Sequence, residues 1–280
     1  MTGDCDTPAS TFSAGIDVTR QATSLKFDYG PGVFGPAPEM RQLATLRPSL
    51  LDPGCEGPDP VYGIAMDVGR EEHREQLIQR NLLFGVVAFA SGLLGQEPVR
   101  SQGHIHARAL HSGWSPPELF EVWEGHAIVY AQESCGDQPG RCFAVLAGPG
   151  EHVIVPPGWP HFVANATPAV PMVFAALCDR QYGFEYGPVR ERGGLAWFPI
   201  HNGDSVQWRA NPAYAPSTLL VGSPRAYNDF SVREDPALYT QFAEDPDALQ
   251  WVSEPGRIAQ QWQQFTPIGE PLERYGVSRT

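Results

Sequence analysis

The chain has 280 residues and a mass of 30.6 kDa, enough for one large core with extensions or two modest domains. Hydrophobic residues make up 42% and charged residues 18%, which excludes a disordered or coiled-coil chain. A formal charge of −13 leaves nothing to neutralise a run of phosphates, so nucleic acid is not expected as a partner. The 29 Gly and 28 Pro break long helices and favour turn-rich β structure. Lys26 is the sole lysine, so Schiff-base chemistry has one candidate position, in a weak context. Cys5, Cys55, Cys135, Cys142 and Cys178 are odd in number and lack a CxxC, which indicates neither a zinc knuckle nor a disulfide framework and favours a reducing compartment. A bridge between Cys135 and Cys142 across a hairpin stays open. No basic-then-apolar signal opens the sequence, and the longest apolar run, 82–94, is broken by Gly85, Ser91 and Gly92; a cytoplasmic chain without a membrane span is expected.

In chain order, residues 1–24 mix Thr, Ser, Gly and Asp without periodicity and, with the Gly and Pro of 30–38, read as an irregular and flexible lead-in. A short helix is expected over 39–46. After the breaks at Asp52-Pro53-Gly54 and Gly57-Pro58-Asp59-Pro60, a strand is expected over 61–66. The polar stretch 71–79 has helical propensity and a solvated charged face. From there the character changes: 82–90, 119–130, 142–146, 152–155 and 172–178 are short apolar or alternating runs between Gly and Pro turns, the pattern of a β-barrel or sandwich. Beyond Trp208 the chain turns irregular again, with Tyr239, Phe242, Trp251, Trp262 and Phe265 suited to anchoring a tail on a core.

Chemistry concentrates in the centre. His104 and His106, in Gly103-His104-Ile105-His106, stand two apart, so on a strand both imidazoles face one side and can share an ion. Six residues separate Glu118 from Gly125, and Gly150, Pro156, Gly158, His161 and Asn165 fit the pattern G-x5-P-x-G-x2-H-x3-N. Glu121 lies three beyond Glu118, and strand alternation points it to the opposite face. His111, His126 and His152 read as surface or supporting imidazoles, and His73 and His201 more so.

These segments resemble the two motifs of the cupin superfamily, which sit on hairpins of a small jelly-roll barrel. The resemblance implies an all-β fold: a cupin barrel over 80–180, an N-terminal extension over 1–79 and a partly helical C-terminal extension over 181–280. It also implies one divalent metal ion per chain, with His104, His106, Glu118 and His161 as its ligands. Such a set leaves two positions open on an octahedral ion, which suits Fe, Mn, Ni or Zn and a small molecule that chelates. Eleven residues separate His106 from Glu118. The inserted stretch 107–117, with His111 and Trp114, would form a loop at the barrel mouth, and its Gly113-Trp114 pair suits the tip of a lid.

Across most of the chain the resemblance narrows to the cupin-type glucose-6-phosphate isomerases. It is carried by Arg47 to Asp52-Pro53, Val61-Tyr62, Gly95 to His106, Pro117 to Gly125, Tyr186 with Gly193-Gly194, Asn211-Pro212-Ala213-Tyr214, and Ala237 to Phe242. It implies a metal-dependent aldose-ketose isomerase of glycolysis and gluconeogenesis, working as a homodimer. The metal would polarise the C1 and C2 oxygens and Glu118 would be the catalytic base, with a hydride shift as the open alternative. Arg100, Ser101, Gly103 and Tyr186 are the implied substrate contacts. Val87 and Phe120 stand in the same pocket where the family carries Thr and Tyr, which makes it more apolar than a sugar-phosphate site. That keeps a second reading open: a mononuclear-metal cupin oxygenase or related enzyme acting on a less polar small molecule, in secondary metabolism.

Overall fold

The structure is a computed structural model and describes residues 12–203 and 205–272; Cys5 and the part of the lead-in before Phe12 lie outside the described residues. In chain order the strands are β1 (Val18–Arg20), β2 (Phe27–Tyr29), β3 (Val33–Phe34), β4 (Glu39–Arg41), β5 (Tyr62–Arg70), β6 (Leu82–Phe89), β7 (Leu93–Leu94), β8 (Glu97–Pro98), β9 (Ile105–His106) and β10 (Glu118–Glu124). They continue with β11 (Ala127–Gln132), β12 (Cys142–Ala147), β13 (His152–Val155), β14 (His161–Asn165), β15 (Met172–Asp179), β16 (Phe184–Glu185), β17 (Trp197–Asn202), β18 (Ser205–Ala210), β19 (Leu219–Pro224) and β20 (Ile268–Pro271).

Two sheets carry the fold. One has the order β13-β10-β15-β6-β5-β3, with β4 also on β5, and the other has the order β14-β11-β12-β19-β20. Their inner faces share one apolar cluster, with Val87, Phe120 and Phe174 from the first sheet and Val129, Val145 and Val163 from the second. This is the cupin jelly roll. The sheets reach beyond 80–180: β4 and β5 extend the first, and β19 joins the second in parallel beside β12.

The outer faces are covered as well. Val86, Ala88, Leu119 and Val173 pack under the C-terminal tail through Tyr227, Leu238, Tyr239 and Phe242, and Ile128, Tyr130 and Phe162 pack under Leu195, Trp197 and Trp208. A strand buried on both sides has no polar face to alternate with. All eight residues of β6 and all eight of β15 are accordingly buried.

Departures from the sequence pattern have local causes. Over 39–46 the chain first forms β4, whose register Glu39↔Ile64 to Arg41↔Tyr62 binds it to β5, and only Leu43–Leu46 is helical; sheet pairing overrides a weak propensity. The apolar run 119–130 is two strands, parted by a turn at Gly125 with φ of 71°, a conformation that favours glycine. Within the lead-in, Val18–Arg20 pairs with Phe27–Tyr29. Cys135 and Cys142 are both free thiols. No helix among the described residues is long and apolar enough to cross a membrane.

Glu121 ties the tail to the barrel. Fully buried, its carboxylate accepts hydrogen bonds from Trp123 Nε1 at 2.8 Å, His152 Nε2 at 3.0 Å and the Leu238 main-chain N–H at 2.6 Å. Glu121→Ala strands these donors without solvent and is expected to lower unfolding stability by about 3–5 kcal/mol. Urea denaturation measures this, and a loss under about 1 kcal/mol would refute the clamp.

Candidate metal centre

Three chain segments converge on one point inside the barrel mouth. His104 and His161 form a two-way main-chain bridge, His104 N–H to His161 C=O at 3.0 Å and the reverse at 3.0 Å, which fixes the first motif against the second. Glu118 opens β10 and faces inward with Phe120, while Leu119 faces the outer core. The donor atoms of His104, His106, Glu118 and His161 all lie within 4.8 Å of one another. His104 Nε2 and His106 Nε2 are 3.2 Å apart, and Glu118 Oε2 is 3.2 Å from His161 Nε2 and 3.3 Å from His106 Nε2. Donors about 2.1 Å from a common ion stand about 3 Å apart at right angles and about 3.5 Å at tetrahedral angles, so the spacing is that of a coordination sphere.

The ring tautomers sharpen this. His106 Nδ1 sits 3.0 Å from the Pro116 carbonyl and His161 Nδ1 sits 2.9 Å from the Trp159 carbonyl. A carbonyl only accepts, so each Nδ1 carries a hydrogen and each Nε2 is turned inward, where the neutral ring presents a lone pair. In that form both lone pairs meet the same carboxylate oxygen, and a metal ion shared among them turns the contacts favourable. Burial raises the Glu118 pKa, but positive charge and donors at His106 and His161 outweigh it and hold the group well below the usual carboxylate range, so the carboxylate is ionised and answers a cation at the Nε2 positions, proton or metal. Burial, with His161 and His106 adding to it, pushes His104 well below the ordinary imidazole value. Burial opposes protonation of His106 too, but the adjacent Glu118 and the Pro116 carbonyl raise it on balance, so proton and metal compete for its Nε2. Two neutral-tautomer imidazoles, a third desolvated one and a carboxylate therefore fit a divalent ion.

Cys178 completes the support. Its thiol is 3.0 Å from Glu118 Oε1, the oxygen turned away from the imidazoles, and burial beside that carboxylate raises its pKa well above the ordinary thiol value. No sequence motif marks Cys178; only the pairing of β15 with β10 brings it there.

A cavity of about 40 Å3 opens beside the donors, room for one or two waters. Its walls include Val87 and Phe120, with Ser101 and Tyr186 as polar members. Arg41, Tyr62 and Phe184 also line it; Tyr62 lies in a segment that carried the resemblance, while Arg41 and Phe184 lie in none. The Phe184 ring stands 4.6 Å from that of His104.

Two implied substrate contacts lie elsewhere. Arg100 is 2% exposed, paired with Glu97 at 2.7 Å, bonded to the Ser49 carbonyl at 2.6 Å and stacked on Phe162 at 4.9 Å. With its donors spent inside the fold, it is a structural cation and not a phosphate ligand. Gly103 has φ of 88° and its open side faces Val189 and Leu195, so it serves the turn before His104. Glu121 faces the outer core, bonded to Trp123, His152 and Leu238 as described above.

The inserted loop 107–117 is pinned down. Leu110 N–H bonds Gln181 at 3.0 Å, and His111 Nε2 lies 3.0 Å from the Ser253 carbonyl and 3.3 Å from Asp179. The Ser115 hydroxyl bonds the His106 carbonyl. In place of a free lid, the insertion is a brace that carries Pro116 to His106.

The family model described as Glucose-6-phosphate isomerase (GPI) matches residues 49–216, more than half of the chain. Among curated proteins, the glucose-6-phosphate isomerase of Thermococcus gammatolerans is 26% identical over 201 residues, covering 70% of this chain and 98% of the relative. That of Thermococcus onnurineus is 27% identical over 195 residues, covering 68% and 95%, and that of Pyrococcus horikoshii is 26% identical over 201 residues, covering 68% and 98%. Solved structures overlap more loosely: an oxalate oxidase at 19% identity and TM-score 0.30, covering 39% of this chain and 47% of that one, and an oxalate decarboxylase from Bacillus subtilis at 14% identity and TM-score 0.35, covering 56% and 31%. At these scores the structural overlap carries no functional weight.

Two outcomes test the site. His161→Ala is expected to weaken Mn(II) or Zn(II) binding by more than about 100-fold, read by calorimetry on the stripped protein; retention of wild-type affinity would remove His161 from the donor set. Arg100→Met is expected to cost about 3–5 kcal/mol of stability by stranding the Glu97 carboxylate, and a stable variant impaired only in substrate affinity would reverse the structural reading of Arg100.

Proposed function

The chain belongs to the cupin-type glucose-6-phosphate isomerase family, and from that membership we propose that it interconverts glucose 6-phosphate and fructose 6-phosphate with a divalent metal held by His104, His106, Glu118 and His161. The observation that carries the reading is the converging set of bare nitrogens and one ionised carboxylate, lying inside the segment that matches the family. A metal there supplies Lewis acidity toward the adjacent C1 and C2 oxygens of an open-chain sugar.

The protein's own residues do the rest. The Pro116 and Trp159 carbonyls fix the imidazole tautomers, and Cys178 fixes the plane of the Glu118 carboxylate. Glu118, ionised and inside the barrel, is the group that takes the proton from one carbon and returns it to the other. Phe120, Val87 and Phe174 exclude water from that exchange. Phe184 and Tyr186, on the two-residue strand β16 and the N-cap of the short helix that follows, form the part of the wall that a hexose phosphate would have to displace. Family membership also supports a homodimer paired through its sheets, in a cytoplasmic glycolytic or gluconeogenic setting.

The apolar wall of Val87, Phe89, Phe120 and Phe174 favours one other reading, a mononuclear-metal cupin enzyme acting on a less polar chelating molecule. A coupled assay of fructose 6-phosphate conversion on protein reconstituted separately with Mn(II), Fe(II), Ni(II) and Zn(II), metal content measured on the same samples, decides between them. Metal-dependent turnover is expected, with solvent deuterium entering the product if Glu118 carries the proton. Full metal loading without turnover would sink the isomerase reading and leave the second.

A further inference from the structure

The matched family segment begins at residue 49, yet the wall of the metal-side cavity includes a residue before it. Arg41 ends β4 and lies in register with Tyr62. On β5 the alternate residues Tyr62, Ile64 and Met66 all line the cavity, so the register sets Arg41 beside the inward-facing row. Among the described residues of that wall, Arg41 is the one with a permanently cationic side chain.

Its donors are only partly used. Arg41 Nη1 and Nη2 rest on Glu39 at 3.0 and 3.2 Å, a carboxylate 67% exposed, and such a solvent-facing pair holds weakly. Arg41 Nε is buried and has no hydrogen-bond partner. A buried guanidinium nitrogen left unpaired is costly unless something else occupies it. Nearby in the same wall, the Ser101 oxygen accepts from Val163 N–H at 3.1 Å, which leaves its own hydrogen to donate, and Tyr186 brings a second hydroxyl.

We propose that Arg41 is the specificity residue for the anionic end of the substrate, binding a phosphate monoester through its guanidinium with help from Ser101 and Tyr186, while the His and Glu donors hold the opposite end. The assignment rests on the isomerase reading for the sugar and on Arg41 alone for the anion. It gives the site the cation that Arg100 cannot supply, and accounts for a pocket that carries valine at 87 and still takes a phosphate. Selection is by charge: a neutral sugar meets the same metal donors and gains nothing from Arg41.

The experiment uses the metal-loaded full chain with fructose 6-phosphate and fructose as substrates and inorganic phosphate as a binding probe. Arg41→Gln is expected to raise KM for fructose 6-phosphate about 10- to 100-fold with kcat within a few-fold, and to weaken inorganic phosphate binding in parallel. Arg41→Lys should fall between the two, because it keeps the charge and loses the fork. Glu39→Gln, which frees the guanidinium, should lower KM. If the wild type turns over and Arg41→Gln leaves KM within twofold, the assignment is overturned and the isomerase reading stands. If the wild type shows no turnover, the isomerase reading fails, and phosphate titration judges Arg41 by itself: weaker binding in Arg41→Gln upholds it, equal binding overturns it. Should Arg41→Gln fail to fold, the Lys and Glu39 variants decide, and an unchanged KM in both overturns the proposal.

Discussion

Everything in the barrel mouth follows from one electrostatic constraint, in which two imidazoles with their Nδ1 hydrogens committed to main-chain carbonyls turn their Nε2 atoms to the same buried carboxylate oxygen. Neutral rings would set acceptor against acceptor there, and positive charge at the Nε2 positions, from protons or from one shared metal ion, makes the contacts favourable. The surrounding structure holds the constraint in place. The two-way bridge of His104 and His161 locks the motifs together, the braced insertion delivers Pro116, and Cys178 occupies the carboxylate oxygen that faces away. A barrel that merely packed histidines would have satisfied each ring separately.

The extensions exist for the same reason that the centre can be dry. Each sheet is apolar on both faces, so a barrel without its wrapping would leave Val86, Leu119, Tyr130 and Phe162 in water, each losing about 1.5–3 kcal/mol of burial. The wrapping is stitched down by buried charges at its seams. Glu121 receives the start of the tail helix through Leu238 N–H, and the Arg100–Glu97 pair receives the N-terminal extension through the Ser49 carbonyl and Leu51 N–H. Burying a charge costs desolvation, and both seams meet that cost by giving each carboxylate side-chain partners and a main-chain N–H.

What the sequence made legible was whatever depends on short-range spacing. The His104–His106 alternation and the face change from Glu118 to Glu121 are properties of a strand's period of two, and the Gly150 to Asn165 pattern carries the resemblance that implied the cupin fold. Contacts made by chain returning from far away leave no such trace. Arg41 reaches the cavity because β4 pairs with β5, Cys178 because β15 pairs with β10, and β19 joins its sheet in parallel beside a strand from much earlier in the chain. Arg100 shows the converse: its place next to the motif suggested a substrate contact, while its long side chain turned inward to Glu97. A charged residue's position in sequence fixes its backbone, and burial decides its partner.

The cavity's composition then explains how one pocket serves a polar substrate with few polar groups. Its floor of Val87, Phe120 and Phe174 offers a hexose no hydrogen bonds, so orientation falls to the two ends, a rigid donor set and a single guanidinium. The apolar floor strengthens both ends by lowering the local dielectric, and it penalises any molecule whose middle carries charge. The two ends differ in stiffness. The donor set is over-determined by main-chain hydrogen bonds, whereas Arg41 is 23% exposed and leans on the solvent-facing Glu39. On the proposed reading, such a site would hold the chelating oxygens rigidly and the distal anion loosely, so a change at the chelating oxygens would cost more than a change in the chain between the two ends.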